Sequence, residues 1–324
     1  MNLDNGDSRP TSTHAVLLMA YGTPETLDQV EPYFTHIRGG RPPSAEAVAN
    51  LRRRYELVGG RTPLLEITRT TARALEEALN VHAETAEERR RVYVGMKHWH
   101  PYIGDVMRLM AADGITRVTA LTLAPHYSRI SLGGYRKAMD EAQSALERSF
   151  DVTFIERWHA QPEFIEMMTA LVQTGLEQFD ASERDSVVTV FSAHSLPVRI
   201  REWNDPYEQE LLESSEATAR AAGLNDWRFA WQSAGETGEP WLGPDILDYL
   251  ETLHAEGMRN VLQVPIGFVS EHLEILWDID HEAKEKAAEL GMKLYRTALP
   301  NDSPAMVRAL AAVVAAAESG RGAV

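Results

Sequence analysis

The residue best placed to do chemistry is His194, which ends the apolar run VVTVFSAHS. An imidazole projecting from a strand terminus can accept a proton near neutral pH or ligate a metal through its neutral nitrogen. It can equally serve as a hydrogen-bonded lock on the Ser-Leu-Pro turn that follows. A second group lies in SEHLEILWDIDHEAKEKAAEL, where Glu274, Asp278 and Glu282 recur every four residues. On one continuous α-helix they line a single face at about 6 Å per step, with Glu271 in the same arc. Ile275, Ile279, Ala283, Leu276 and Leu290 then take the adjoining core face. Such a stripe is often only the solvated side of an amphipathic helix. Here, though, like charges at i, i+4 cost roughly 0.2–0.5 kcal/mol per pair, and only Lys284 and Lys286 stand near enough in sequence to offset them. A row of hard oxygen ligands suits passage of a divalent cation, or of protons moving the other way. Crowding would also hold at least one carboxyl above its reference pKa, as a proton acceptor near pH 7 requires.

Two further groups supply binding rather than reaction. His36 to Arg41, Arg52 to Tyr55 and Gly59 to Pro63 concentrate positive charge in one stretch of the chain. Planar guanidinium groups there could grip carboxylates bidentately, or simply coat a solvated helix. The Gly/Pro-rich stretch WQSAGETGEPWLGPD, residues 231–245, carries Trp231 and Trp241. On a loop beside a cleft they suit a flat apolar ligand, and in a core they are ordinary packing.

The elements that must position these groups read as alternating strands and helices. Strands are expected over 15–22, 92–96, 118–123, 152–155, 187–192, 229–232, 261–268 and 294–296, as continuous apolar runs suited to burial on both faces. Helices are expected over 64–79, 103–112, 135–146, 162–179, 207–222, 246–258 and 272–290, with a final Ala-rich helix over 305–317. Some 70 residues separate the first two strands, room for additional helices over 27–37, 45–58 and 64–79. Eight strands divide four and four near residues 150–160. This predicts an α/β chain of two doubly wound domains, 14–155 and 156–303, with helix 304–318 free to pack back on the first. Ligands in such sheets sit beyond the carboxyl ends of the strands, where Tyr21, His98, His126, His194 and Ser233 fall. No glycine-rich nucleotide motif follows a strand, so nucleotide binding has no support.

Composition narrows the function classes. The net charge of −16 (48 acidic against 32 basic residues) disfavours nucleic acid and anionic membranes, and obliges any anionic ligand to find local arginines. With no cysteine there are no disulfides, thiolate chemistry or cysteine-held iron–sulfur clusters. The first thirteen residues are polar and lack a signal-peptide core, and no apolar run is long enough to span a bilayer. A cytoplasmic protein is expected.

The segments MAYGTPETLDQVEPYFTHIRGGR, RRYELVGGRTPL, GMKHWHPYIGDVM, LAPHYS, FSAHSLP, DPYEQEL, WQS, PWLGPD and VPIGFVSEHLEILWDID, running in order from about residue 14 to 310, resemble the ferrochelatase family. The resemblance implies two Rossmann-like, chelatase-like domains with four-stranded parallel sheets and a porphyrin cleft between them. It implies that His194 and Glu274 are the metal-binding and catalytic pair, with Asp278 and Glu282 on the metal or proton path. It places Tyr21, Ile37, Arg38, Arg54, Tyr55, Thr62, Tyr135 and Trp241 around the porphyrin, with Thr62 replacing the family's serine. Tyr21, in AYGTP, matches the tyrosine of coproporphyrin-type members that can ligate the product iron; protoporphyrin-type relatives resemble NMGGP there.

The resulting expectation is an enzyme that inserts Fe²⁺ into coproporphyrin III in haem biosynthesis. It needs no cofactor and no iron–sulfur cluster, and acts as a monomer that meets other haem-pathway enzymes at most transiently. Alternatives are a protoporphyrin IX ferrochelatase, another tetrapyrrole chelatase, or a binding protein that carries haem or metal without chemistry.

Overall fold

The computed structural model describes residues 13–85, 87–235 and 238–320. The expectations resting on residues 1–12 lie outside these, as do residues 236–237 of the Trp231–Trp241 loop. In chain order the first half comprises β1 (His14–Ala20), α1 (Val30–Ile37), α2 (Ala45–Leu57), α3 (Leu64–Leu79), β2 (Arg90–Met96), α4 (Ile103–Ala112), β3 (Arg117–Thr122), α5 (Leu132–Ser144) and β4 (Asp151–Ile155). The second comprises α6 (Pro162–Leu176), β5 (Val187–His194), α7 (Tyr207–Ala222), β6 (Trp227–Gln232), α8 (Ile246–Ala255), β7 (Asn260–Val264), α9 (Leu273–Leu276), α10 (Lys284–Glu289) and β8 (Lys293–Arg296). A last helix, α11 (Pro304–Glu318), ends the described chain.

Two four-stranded sheets result, ordered β2-β1-β3-β4 and β6-β5-β7-β8, with every pairing parallel. The central strands are apolar because helices cover both their faces. Every residue of β1 is buried, and β5 is buried from Val188 to Ala193. The halves share one topology despite having no sequence repeat, and each reverses strand order between its first and third strands. In a doubly wound sheet that reversal opens a crevice at the strand ends. β1 ends at Ala20 just before Tyr21, and β5 ends at His194, so both crevices deliver chemistry-bearing residues.

The first connection holds α1, α2 and α3, as its length requires. Ser44 caps α2 by accepting the Ala47 N–H (3.2 Å). α11 lies against α3 and α6 and reaches β3 and β4. Its buried Met306, Leu310, Val313 and Val314 join a core cluster containing Val16 and Leu18 of β1 as well as Phe164 of α6 and Phe191 of β5. Glu318 pins its end through Arg90 Nη2 (2.8 Å) and His14 Nε2 (3.3 Å).

One expected element is different. Residues 272–290 are not a continuous α-helix: α9 gives way to a π-helical stretch, Asp278–Ala283, before α10 resumes. The Glu282 N–H reaches the Trp277 carbonyl five residues back (2.9 Å). The strand expected to run to 268 also ends early, at Val264.

Candidate active site

The two strand ends face one another. His194 closes β5 opposite Gln232 of β6, and the Ser195 N–H donates to the Gln232 carbonyl (2.7 Å). Its Nδ1 is engaged by the Ser195 carbonyl, which turns Nε2 toward Glu274 Oε1 at 3.5 Å. Glu274 also meets His272 Nε2 (3.4 Å), a contact to a residue that sequence reasoning passed over although it stands in the quoted HLE. Burial pulls His194 down, but the Glu274 carboxylate outweighs this and raises its pKa to about 9. Burial likewise raises Glu274, and the two imidazoles outweigh it, holding the carboxyl well below its usual range. At neutral pH the pair is therefore an ion pair sharing one titratable proton.

A buried amide layer supports it. Gln232 Nε2 donates to the Glu274 carbonyl (3.2 Å), while its Oε1 accepts from Ser192 Oγ (3.0 Å) and Gln263 Nε2 (3.4 Å). Gln232, Gln263 and Ser192 are all fully buried. Polar residues inside apolar strands were the signal that could have found them. Gly267 lets the next loop close over this layer: a Cβ there would stand 2.7 Å from the Ala193 Cβ.

Asp278 follows one turn on, 7% exposed, bonded to Ser233 Oγ and 3.9 Å from Arg54 Nη1. Burial, then the charge of Glu274, raises it to about 7. Glu282 adds its charge to Asp278 and to Asp245. The π stretch explains how three residues four apart stay in line. In an α-helix a four-residue step overshoots the 3.6-residue turn and the row drifts around the helix. A wider π turn reverses the drift between Asp278 and Glu282. Glu271 leaves the row: it precedes the helix and pairs with Arg296 (3.2 Å). Lys284 and Lys286 do not neutralise the row either, pairing with Asp280 and Glu251. Among the described residues no three His, Asp or Glu side chains form a common coordination sphere. The four expected metal residues are thus a pair plus a track.

The first half supplies the opposing wall. Gly22 has φ +98°, and a Cβ there would meet the Trp99 nitrogen at 2.9 Å, so glycine is needed for the chain to turn sharply after Tyr21. Tyr21 is 41% exposed and sits with its ring 4.5 Å from that of His98. Enclosure by the walls, then the charge of Glu274, raises its phenol above the ordinary range. Lys97 Nζ lies 5.8 Å from the Tyr21 ring and 5.0 Å from that of Tyr135, and burial lowers it to about 8. This half-buried cation is a second residue that sequence reasoning did not select. Tyr135 is buried behind it. Tyr55 and Thr62 are buried too, their hydroxyls joined through Thr23 Oγ1 (3.2 and 2.8 Å), and so support the wall from beneath. Trp241 lies on the second half, its ring 6.3 Å from that of His194. Ile37 ends α1 half-buried, and Arg38 follows it exposed. Arg54, expected around the porphyrin, reaches from α2 to the second half, facing Asp278 and the Trp277 ring (5.7 Å). A separate recess of about 650 Å³ beside Thr62, between α3 and β2, is lined by Arg61, Arg69 and Arg73 but by none of Tyr21, His194 or Glu274.

The family model described as Ferrochelatase matches residues 13–318. The chain belongs to the ferrochelatase family. It is therefore a metal-chelating lyase that inserts ferrous iron into a porphyrin. It is 52% identical over 300 residues to a ferrochelatase of Herpetosiphon aurantiacus (93% of this chain, 97% of that protein). It is 42% identical to a coproporphyrin III ferrochelatase of Anoxybacillus flavithermus (92% and 94%) and 39% identical to one of Bacillus subtilis (92% and 96%). Among solved structures, SirB from Bacillus subtilis with Fe³⁺ superposes with a TM-score of 0.59 at 11% identity, covering 95% of this chain and 97% of that one. That likeness supports the two-domain chelatase-like fold. No helix among the described residues is long and apolar enough to cross a membrane.

Proposed function

We propose that this ferrochelatase takes coproporphyrin III as its porphyrin and produces its iron chelate in haem biosynthesis. The observation that carries the reading is Tyr21, presented on the wall opposite Glu274, where its phenol can meet iron at the centre of a ring held between them. The names of several relatives at about 40% identity agree with it.

Metalation must remove two pyrrole protons, strip water from Fe²⁺ and expose the inward nitrogen lone pairs. In this reading Tyr21, Trp241, Ile37 and the Tyr55–Thr62–Tyr135 wall hold the macrocycle, with Arg38 and Arg54 toward its carboxylates. A ring pressed out of plane tilts its nitrogen lone pairs toward one face. His194 and Glu274 take the iron or the pyrrole protons on that face. Asp278, titrating near neutral pH, and Glu282 relay the other species toward solvent. Which member of the pair accepts the proton is a property of the two jointly. The enzyme works in this reading as a cytoplasmic monomer without bound cofactor.

The test is anaerobic incubation with Fe²⁺ and either coproporphyrin III or protoporphyrin IX, following the Soret band, with Co²⁺ in parallel. Faster turnover of coproporphyrin III with Fe²⁺ is expected. Preference for protoporphyrin IX overturns the substrate assignment, and stoichiometric binding without metalation above the spontaneous rate overturns the enzymatic one.

A further inference from the structure

α7 joins the two halves of the molecule to the catalytic histidine. Tyr207, in its first turn, donates its hydroxyl to the His194 carbonyl (3.0 Å). One turn on, Glu210 is 2% exposed at the seam between the halves. It accepts the Tyr127 N–H (2.6 Å), stands 2.9 Å from Arg157 Nη1 and lies 3.4 Å from His159 Nδ1. The same face of α7 presents Glu213 to His159 Nε2 (3.2 Å) and Ser214 to His126 Nε2 (2.8 Å). Just before the helix, Asp205 accepts from Ser128 Oγ (3.1 Å) and the Arg129 N–H (2.8 Å). All these partners come from segments 126–129 and 157–159, beyond the ends of β3 and β4.

A carboxyl so thoroughly removed from water is costly, and a helix that needed only to pack would do better with an apolar side chain. What the carboxyl provides is direction: its Oε2 accepts the Tyr127 N–H, which sets the rotation and height of α7 as apolar contacts do not, while the Arg157 guanidinium stands beside Oε1. The first turn of α7 passes that setting to the backbone of His194.

We propose that Glu210 is a positioning residue for metalation, acting through α7 and the Tyr207 hydroxyl on the His194 backbone so that the imidazole stays in reach of Glu274. The inference rests on the role given above to His194. It does not depend on which porphyrin is the substrate, since every variant is assayed with the porphyrin that the wild type metalates fastest.

The experiment is a double-mutant cycle with Glu210→Gln, Tyr207→Phe and both together, reading kcat, porphyrin KM and the melting temperature. Each single change is expected to lower kcat by about tenfold with porphyrin KM held within about twofold, and the double variant to be no slower than the slower single one. Glu210→Asp, which keeps the carboxyl group, is expected to recover part of the lost rate. Multiplying losses in the double variant overturn the proposal, as does Glu210→Gln melting earlier with kcat unchanged. Full turnover by His194→Ala, run alongside, would instead remove the role of His194 and is distinguishable from either outcome.

Discussion

At the scale of single residues, the site is governed by how unlike neighbouring carboxyls have become. Glu274 is held low by two imidazoles, while Asp278, one turn away and buried, is raised to about 7. Opposite shifts in adjacent groups separate acid from base. An acceptor with that value is half ionised at neutral pH, so kcat/KM should climb as pH rises through about 7, and Asp278→Asn should flatten that limb; a pH–rate profile of both proteins checks it. Stability carries a different signature. His194 has a folded value of about 9, above its ordinary 6.5. Its ion pair therefore stabilises the fold fully below pH 6.5, and that stabilisation fades as pH rises through 9. Glu274, being lowered, contributes fully above its ordinary 4.5, and that contribution shrinks as pH falls below 4.5 and is gone only in strong acid. The melting temperature should fall more steeply between about pH 6.5 and 9 in the wild type than in Glu274→Gln, as calorimetry across that range would show. The His194→Ala variant is expected to metalate at least ~100-fold more slowly, the low end for a lost general base.

At the scale of elements, what could be read in the sequence was what repeats. All eight strands announce themselves as apolar runs bounded by turn residues, and α4 and α7 as apolar periods closed by Gly114 and Gly223. The π stretch at Asp278–Ala283 could not be read this way. Its composition is that of any amphipathic helix, and nothing in the local sequence marks the extra residue in the turn. Lys97 was equally hidden, being defined by what lies across the fold and not by its neighbours in the chain, whereas Gln232 and Gln263 were marked as polar residues within apolar strands. Arg54 was legible as a cation but not in its direction. Gly267 tests how closely the elements are fitted. Gly267→Ala drives a methyl into Ala193, beside the catalytic histidine, and should cost about 1–3 kcal/mol of stability in denaturant unfolding together with a drop in kcat.

At the scale of the molecule, two sheets of one topology bring their switch points together, and α11 ties the result by burying one face against both α3 and α6. Leu310, fully buried in the core that residues of both sheets share, should cost about 2–5 kcal/mol on truncation to alanine, read from the denaturant midpoint. Between the halves lies the slot, with Tyr21 on one wall and His194 with Glu274 on the other. The most direct examination of that arrangement is a crystal structure with coproporphyrin III bound. The ring is expected between the two walls, its centre facing the Tyr21 hydroxyl on one side and His194 Nε2 on the other. A ring lodged instead in the recess beside Thr62, among Arg61, Arg69 and Arg73, would contradict it.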